Sequence, residues 1–250
     1  MISNYLENKS NSNSEKVLEV HKSEFVSIAS HQLRSPLTAI RGYVSLIEEG
    51  SFGAVPEQMK EALNRISESA KFMALSIDDF LNVSRIESGN MKYEFKDINL
   101  KEQAKHIVQD LRADATKRGL KLHFKTDMTS KGIVHADFGK TQQILHNLIN
   151  NALKYTRQGS VTVLVRDDLK QKLLKVEFID TGIGMSPETL ADLFGKFARA
   201  NVASSANIMG TGLGLFVARS MARAMRGDVT AHSEGVGKGS CFVLTLPCVM

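Results

Sequence analysis

Leu173-Leu174-Lys175-Val176-Glu177-Phe178-Ile179-Asp180-Thr181-Gly182-Ile183-Gly184-Met185 runs an apolar stretch into a turn that carries two glycines. The stretch through Ile179 reads as a strand. The carboxylate of Asp180 then stands at the strand end, where Gly182 and Gly184 let backbone approach a ligand closely. A glycine pair alone is weak evidence, since turns need glycine too. A second run, Gly210-Thr211-Gly212-Leu213-Gly214-Leu215, leads straight into a helix whose first N–H groups suit phosphate oxygens. It lacks the Lys-Ser/Thr that ends a Walker sequence and the short βαβ setting of a dinucleotide fingerprint.

A third element precedes both. Asn147-Leu148-Ile149-Asn150-Asn151-Ala152-Leu153-Lys154-Tyr155 lies inside an apolar-periodic segment opened by Asp137, which reads as a helix cap. Asn147 and Asn151 are four apart and share a face, while Leu148 and Ala152 point to the core. Amide oxygens are hard ligands suited to Mg²⁺, although two asparagines on a helix are more often surface or capping residues.

Around these runs the expected elements alternate. Strands are expected at Met91–Leu100, Leu120–Lys125, Gly132–Ala136, Ser160–Arg166, Leu173–Ile179, Val229–Ser233 and Ser240–Leu246. Helices are expected at Lys101–Lys117, after Asp137, near Pro187, and from about Gly212 to Gly227. That texture, from residue 90 to 250, is an α/β domain.

Residues 16–89 read differently. Val26, Ser30, Leu33, Leu37, Ile40, Val44 and Ile47 step by four and three along one helix. Met59, Leu63, Ile66, Ala70, Met73, Ile77 and Phe80 repeat the pattern along a second. Gly50, Gly53 and Pro56 separate the two. A helical hairpin cannot bury two such stripes by itself, and a homodimer closing a four-helix bundle is the economical solution. Residues 1–15, rich in Asn and Ser, are expected to be a flexible lead-in. The fold class expected for the whole is therefore α+β: a dimerising hairpin followed by an α/β sandwich.

Composition narrows the classes. The 250 residues are 42% hydrophobic and 24% charged, which is ordinary for a globular protein. The net charge of +5 comes from scattered Lys and Arg without aromatic-interleaved basic stretches, so a nucleic-acid partner is not expected. No apolar run approaches the ~20 residues that span a bilayer, and a cytoplasmic setting is expected. Two cysteines, Cys241 and Cys248, are too few for a disulfide framework, and the histidines other than His31 show no metal-ligand spacing.

One further motif completes the set: Phe25-Val26-Ser27-Ile28-Ala29-Ser30-His31-Gln32-Leu33-Arg34-Ser35-Pro36-Leu37 on the first helix. With the asparagine helix, Asp180-x-Gly-x-Gly, Phe194-Gly-Lys-Phe197 and Gly210-x-Gly-x-Gly in that order, the chain resembles the transmitter region of a sensor histidine kinase. The resemblance covers the chain from about residue 16. It implies an ATP-binding domain of the gyrase and Hsp90 type, phosphorylation of His31, and transfer of the phosphoryl group to an aspartate of a response regulator. By that likeness Asp180, with Gly182 and Gly184, would receive adenine. Asn151, helped by Asn147, would hold Mg²⁺. Lys154 and Arg199 would face phosphates, and Tyr155 would pack near adenine or ribose. Gly210, Thr211, Gly212, Leu213 and Gly214 would cradle phosphate, and Phe194 and Phe197 would anchor a lid from Ala198 to Met209.

Near-neutral pKa makes a histidine usable as a nucleophile, and Pro36, five residues on, removes an N–H from the helix. The family commonly has an acid directly after the phosphoacceptor. This chain has Gln32, which cannot act as a general base, so slower autophosphorylation is expected. Ser35 stands where the family often has Thr or Asn, a position linked to dephosphorylating the partner. Two other classes compete: an ATPase of the same nucleotide-binding superfamily, and a scaffold that binds ATP or dimerises without phosphoryl transfer.

Overall fold

The computed structural model describes residues 28–30, 32–168, 170–198 and 210–249. Two compact units emerge. One runs to Met91 and takes in Gly210 and Thr211; the other begins at Lys92 and resumes at Gly212.

The first unit is a helical hairpin. Residues 28–30 and 32–48 are helical (α1), and Glu57–Glu87 forms α2, which starts directly after Pro56. Within the stripes the burial is split. Ser30, Leu37 and Val44 of α1, and Leu63 and Ala70 of α2, are buried at steps of seven. The alternate positions Leu33, Ile40, Met59, Ile66, Met73 and Phe80 are between 41% and 53% exposed. Each stripe thus uses one half inside the hairpin and leaves the other half facing outward. An Arg34 to Asp78 ion pair of 2.6 Å links α1 to α2. It is about half exposed and adds little stability by itself.

The second unit contains β1 (Phe95–Asn99), α3 (Leu100–Lys117), β2 (Lys121–Asp127), β3 (Ile133–Asp137) and α4 (Phe138–Tyr155). It continues with β4 (Ser160–Asp168), β5 (Leu173–Asp180), α5 (Pro187–Asp192), α6 (Gly214–Ala224), β6 (Asp228–His232) and β7 (Ser240–Pro247). Five strands form the main sheet in the order β2-β4-β5-β7-β6. Only β2 and β4 run parallel; the other neighbours are antiparallel. β1 and β3 make a separate two-stranded antiparallel sheet. The expected strand at Met91–Leu100 is shorter than read: Asn99 ends it by capping α3, its side chain accepting from the Glu102 N–H at 3.0 Å. The helix expected from Gly212 begins at Gly214 and ends at Ala224, because the glycine run before it is a loop.

The core lies between the sheet and α3, α4 and α6. Val161, Val163, Val165, Val176, Phe178 and Leu244 alternate inward and are fully buried. Ile144, Leu145, Leu148, Ile149 and Ala152 of α4 face them. Burying Phe178 alone contributes about 2–3 kcal/mol. Asp137 fixes the start of α4 and more: Oδ1 accepts from the Lys140 N–H at 2.9 Å, and Oδ2 from the Glu94 N–H at 2.7 Å.

Candidate nucleotide site

Helix α4 is the spine of the site. Its apolar face is locked into the core, so the residues on the adjacent face, Asn147 and Asn151, are held in place while remaining partly exposed. Asn151 Nδ2 donates to Asn147 Oδ1 at 3.2 Å. A Cβ added at Gly214 would lie 2.6 Å from Asn147 Nδ2, so the start of α6 rests directly on this amide. The first turn of α6 contains no acid, and its N-cap residue, Leu213, supplies no side-chain cap. Such an end suits anionic oxygens.

The other end of α4 builds a second cluster. Tyr155 O accepts from the Ile183 N–H at 3.1 Å. Gly182 sits so close that a Cβ there would overlap the same carbonyl and approach Asp180 Oδ1 to 2.7 Å. The Gly182 N–H donates to Asp180 Oδ1 at 2.8 Å. Asp180 is 5% exposed, and burial raises its pKa, against the lowering effect of donors on Gly182 and Ser240. Ser240 is the register partner of Asp180 across β5 and β7, and its N–H and hydroxyl both act to lower the pKa of the carboxylate. Spacing along the chain does not reveal Ser240, since sixty residues separate it from Asp180. Only strand pairing brings them together.

Of the other expected site residues, Lys154 lies on α4 with Nζ 5.0 Å from the centre of the Tyr155 ring. Gly184 follows Ile183 with a φ of +63°. Gly212 abuts the backbone of Phe197 and Ala198, to which a Cβ would come within 2.9 and 3.0 Å. Gly210 and Thr211 group with the helical unit, where Thr211 Oγ1 donates to Asp79 Oδ2 at 2.7 Å. Phe194 lies beneath the Arg219 guanidinium at 4.5 Å, whereas Phe197 is 65% exposed at a φ of +59°. Gln32 and Ser35 are exposed on α1. His31, Arg199 and residues 199–209 of the lid expected from Ala198 to Met209 lie outside the described residues.

His146 is pushed down by burial, and His135 pairs with Asp97 at 2.8 Å. Among the described residues no cluster of His, Cys, Asp or Glu has the makings of a metal site, and no helix is long and apolar enough to cross a membrane.

An α/β sandwich whose strand-end carboxylate and helix-borne amides flank a glycine-opened helix defines a nucleotide-binding domain. Residues 136–250 match the family described as histidine kinase-, DNA gyrase B-, and HSP90-like ATPase. Residues 21–89 match the His Kinase A (phospho-acceptor) domain. The chain therefore belongs to the histidine kinases, of which it is a transmitter region. It is 37% identical over 230 residues to the non-motile and phage-resistance protein of Caulobacter vibrioides, covering 90% of this chain and 27% of that protein. It is 33% identical over 230 residues to hybrid signal transduction histidine kinase B of Dictyostelium discoideum, covering 90% of this chain and 11% of that one. The chain thus spans about a quarter or less of these relatives. Full-length ShkA, solved in complex with AMPPNP, superposes with a TM-score of 0.71 at 23% identity, over 90% of this chain and 45% of that one. ThkA, solved in complex with the response regulator TrrA, gives 0.61 at 21% identity, over 90% and 61%.

Proposed function

We propose that this chain is an ATP- and Mg²⁺-dependent protein-histidine kinase that phosphorylates its own His31 and passes the phosphoryl group to an aspartate of a response regulator. One observation carries the reading: a phospho-acceptor domain and an ATPase domain follow one another in a single chain. The donor set fits the ligands. Asp180 is a buried acceptor suited to an exocyclic amine, and the first turn of α6 is free of acids and side-chain caps, as phosphate requires. Asn151 and Asn147 offer hard amide oxygens that would hold Mg²⁺, which supplies charge neutralisation of the phosphates.

In the transfer, a ring nitrogen of neutral His31 forms a bond to the γ-phosphorus while the bond from that phosphorus to the β,γ-bridging oxygen breaks, and ADP leaves. The imidazole proton goes to solvent, since Gln32 cannot accept it. Asp180, Asn147 and the α6 start act by binding and orientation, which is most of what phosphoryl transfer asks of a protein. The outward halves of the two stripes would pair with a second copy, giving a homodimer. ThkA bound to its response regulator supports a receiver-domain partner of the same kind, and the cytoplasm is where ATP and such a partner meet. The rival readings, a plain ATPase or a non-catalytic scaffold, leave the phospho-acceptor domain without a task.

Incubation with γ-labelled ATP and Mg²⁺ should give acid-labile, alkali-stable label on the protein. Absence of label, or its full retention in His31→Gln, would overturn this assignment.

A further inference from the structure

The loop joining β6 to β7, Ser233 to Gly239, forms no part of the recognised motifs, yet it grips the segment from Asp180 to Met185 at both ends. The Ser233 hydroxyl accepts from the Met185 N–H at 3.0 Å and from the Gly235 N–H at 3.3 Å, and donates to Gly239 O at 2.7 Å. Two accepted bonds and one donated bond use the full capacity of a hydroxyl. Beside it, the Gly237 N–H donates to Ile183 O at 2.6 Å. Gly184 leaves no room for a side chain against Gly235 O, and Gly239 leaves none against Asp180 O; both have positive φ, +63° and +72°. The next residue after Gly239 is Ser240, the register partner of Asp180, whose N–H and hydroxyl act on its carboxylate. One hydroxyl therefore reaches the site by two routes: through Met185 to Gly184, and through the Gly239 carbonyl to Ser240 and Asp180.

We propose that Ser233 is a positioning residue for nucleotide binding: it holds the Gly182–Gly184 turn and the Ser240 end of β7 in register around Asp180. This rests on the reading of Asp180 as the adenine acceptor. Loss of the hydroxyl leaves the Met185 N–H and the Gly239 carbonyl to find new partners, and the turn widens. The ligand contacts stay in the chain, so the effect falls on affinity.

The test measures ADP binding to the full chain by calorimetry for wild type, Ser233→Ala, Ser233→Thr and Asp180→Asn. Backbone amide exchange at Met185 and the KM and kcat for ATP are measured in parallel. Ser233→Ala should weaken ADP about 3- to 10-fold, the range expected for one lost hydrogen bond. The loss should appear mainly in KM, with faster exchange at Met185, and Ser233→Thr should recover most of it. Normal ADP affinity in Ser233→Ala, with Asp180→Asn defective, would overturn the role of Ser233 alone. Equal loss in KM and kcat, with a general rise in amide exchange, would reduce Ser233 to a fold-stabilising residue. Normal binding by Asp180→Asn would instead overturn the site reading on which the inference rests.

Discussion

Asn147 of α4 and Gly214 of α6 meet so closely that a single methyl on Gly214 would come within 2.6 Å of the Asn147 amide nitrogen. Neither residue can be changed without reporting on the other.

Gly214→Ala should therefore separate stability from binding. Alanine is favoured over glycine in a helix by about 1 kcal/mol, so α6 itself gains. The displaced amide should cost nucleotide affinity about tenfold, measured by ADP titration with and without Mg²⁺. An affinity equal to wild type would show that α4 and α6 can part without consequence.

Asp180 makes a prediction about pH. Burial raises its pKa, so the folded state keeps its proton to higher pH than the unfolded chain does. Unfolded Asp titrates near ~3.9. Stability without nucleotide should fall as pH rises from there through the raised folded value, then level off. Denaturant melts across that window should show the slope in wild type and a flatter curve in Asp180→Asn, which should at the same time lose nucleotide binding.

Asp228 behaves in the opposite sense. Burial alone would raise it, but hydrogen bonds from Arg219 and Arg223 outweigh that and hold it down at about 2. Its stabilisation is present above the unfolded value of ~3.9 and is lost as pH falls toward about 2. Because the group is a third exposed, about 1 kcal/mol is the expected scale after screening. Asp228→Asn should lower the melting temperature at pH 7 and matter much less near pH 2.5.

The outward half-stripe gives an assembly test. Ile66 is 46% exposed in the single chain and lies in line with Met59, Met73 and Phe80. Ile66→Glu should shift sedimentation from dimer toward monomer while leaving the far-UV circular dichroism of the α/β unit in place. A dimer of undiminished affinity would show that another face carries the contact.

Gln32 bears on rate. Gln32→Glu restores a proton acceptor beside His31 and should raise autophosphorylation about tenfold or more at saturating ATP. An unchanged or lower rate would count against the missing-base argument.

Periodicity made the two long helices, the α4 core face and most strands legible, and the order of the motifs located Asp180 and the asparagine pair. Which half of each stripe turns inward was not legible, because a heptad marks a seam without saying which partner fills it. Ser30, Leu37 and Val44 differ from Leu33 and Ile40 only through the hairpin's own packing. Ser233 and Ser240 were equally hidden. Their contacts depend on antiparallel register between β5 and β7 and on a loop shaped by glycines at positive φ, and neither leaves a short-range signal. The parallel pairing of β2 with β4 escaped for the same reason, and so did the detachment of β1 and β3 from the main sheet.

Asp137 closes the account of α4. Its two oxygens tie the Glu94 N–H, two residues after the second unit begins, to the Lys140 N–H in the first turn of the helix that carries Asn147 and Asn151. The backbone that opens the second unit is thus pinned to the start of α4 one residue before β1 begins, so one carboxylate joins the entry of the unit to the helix that carries the asparagine pair.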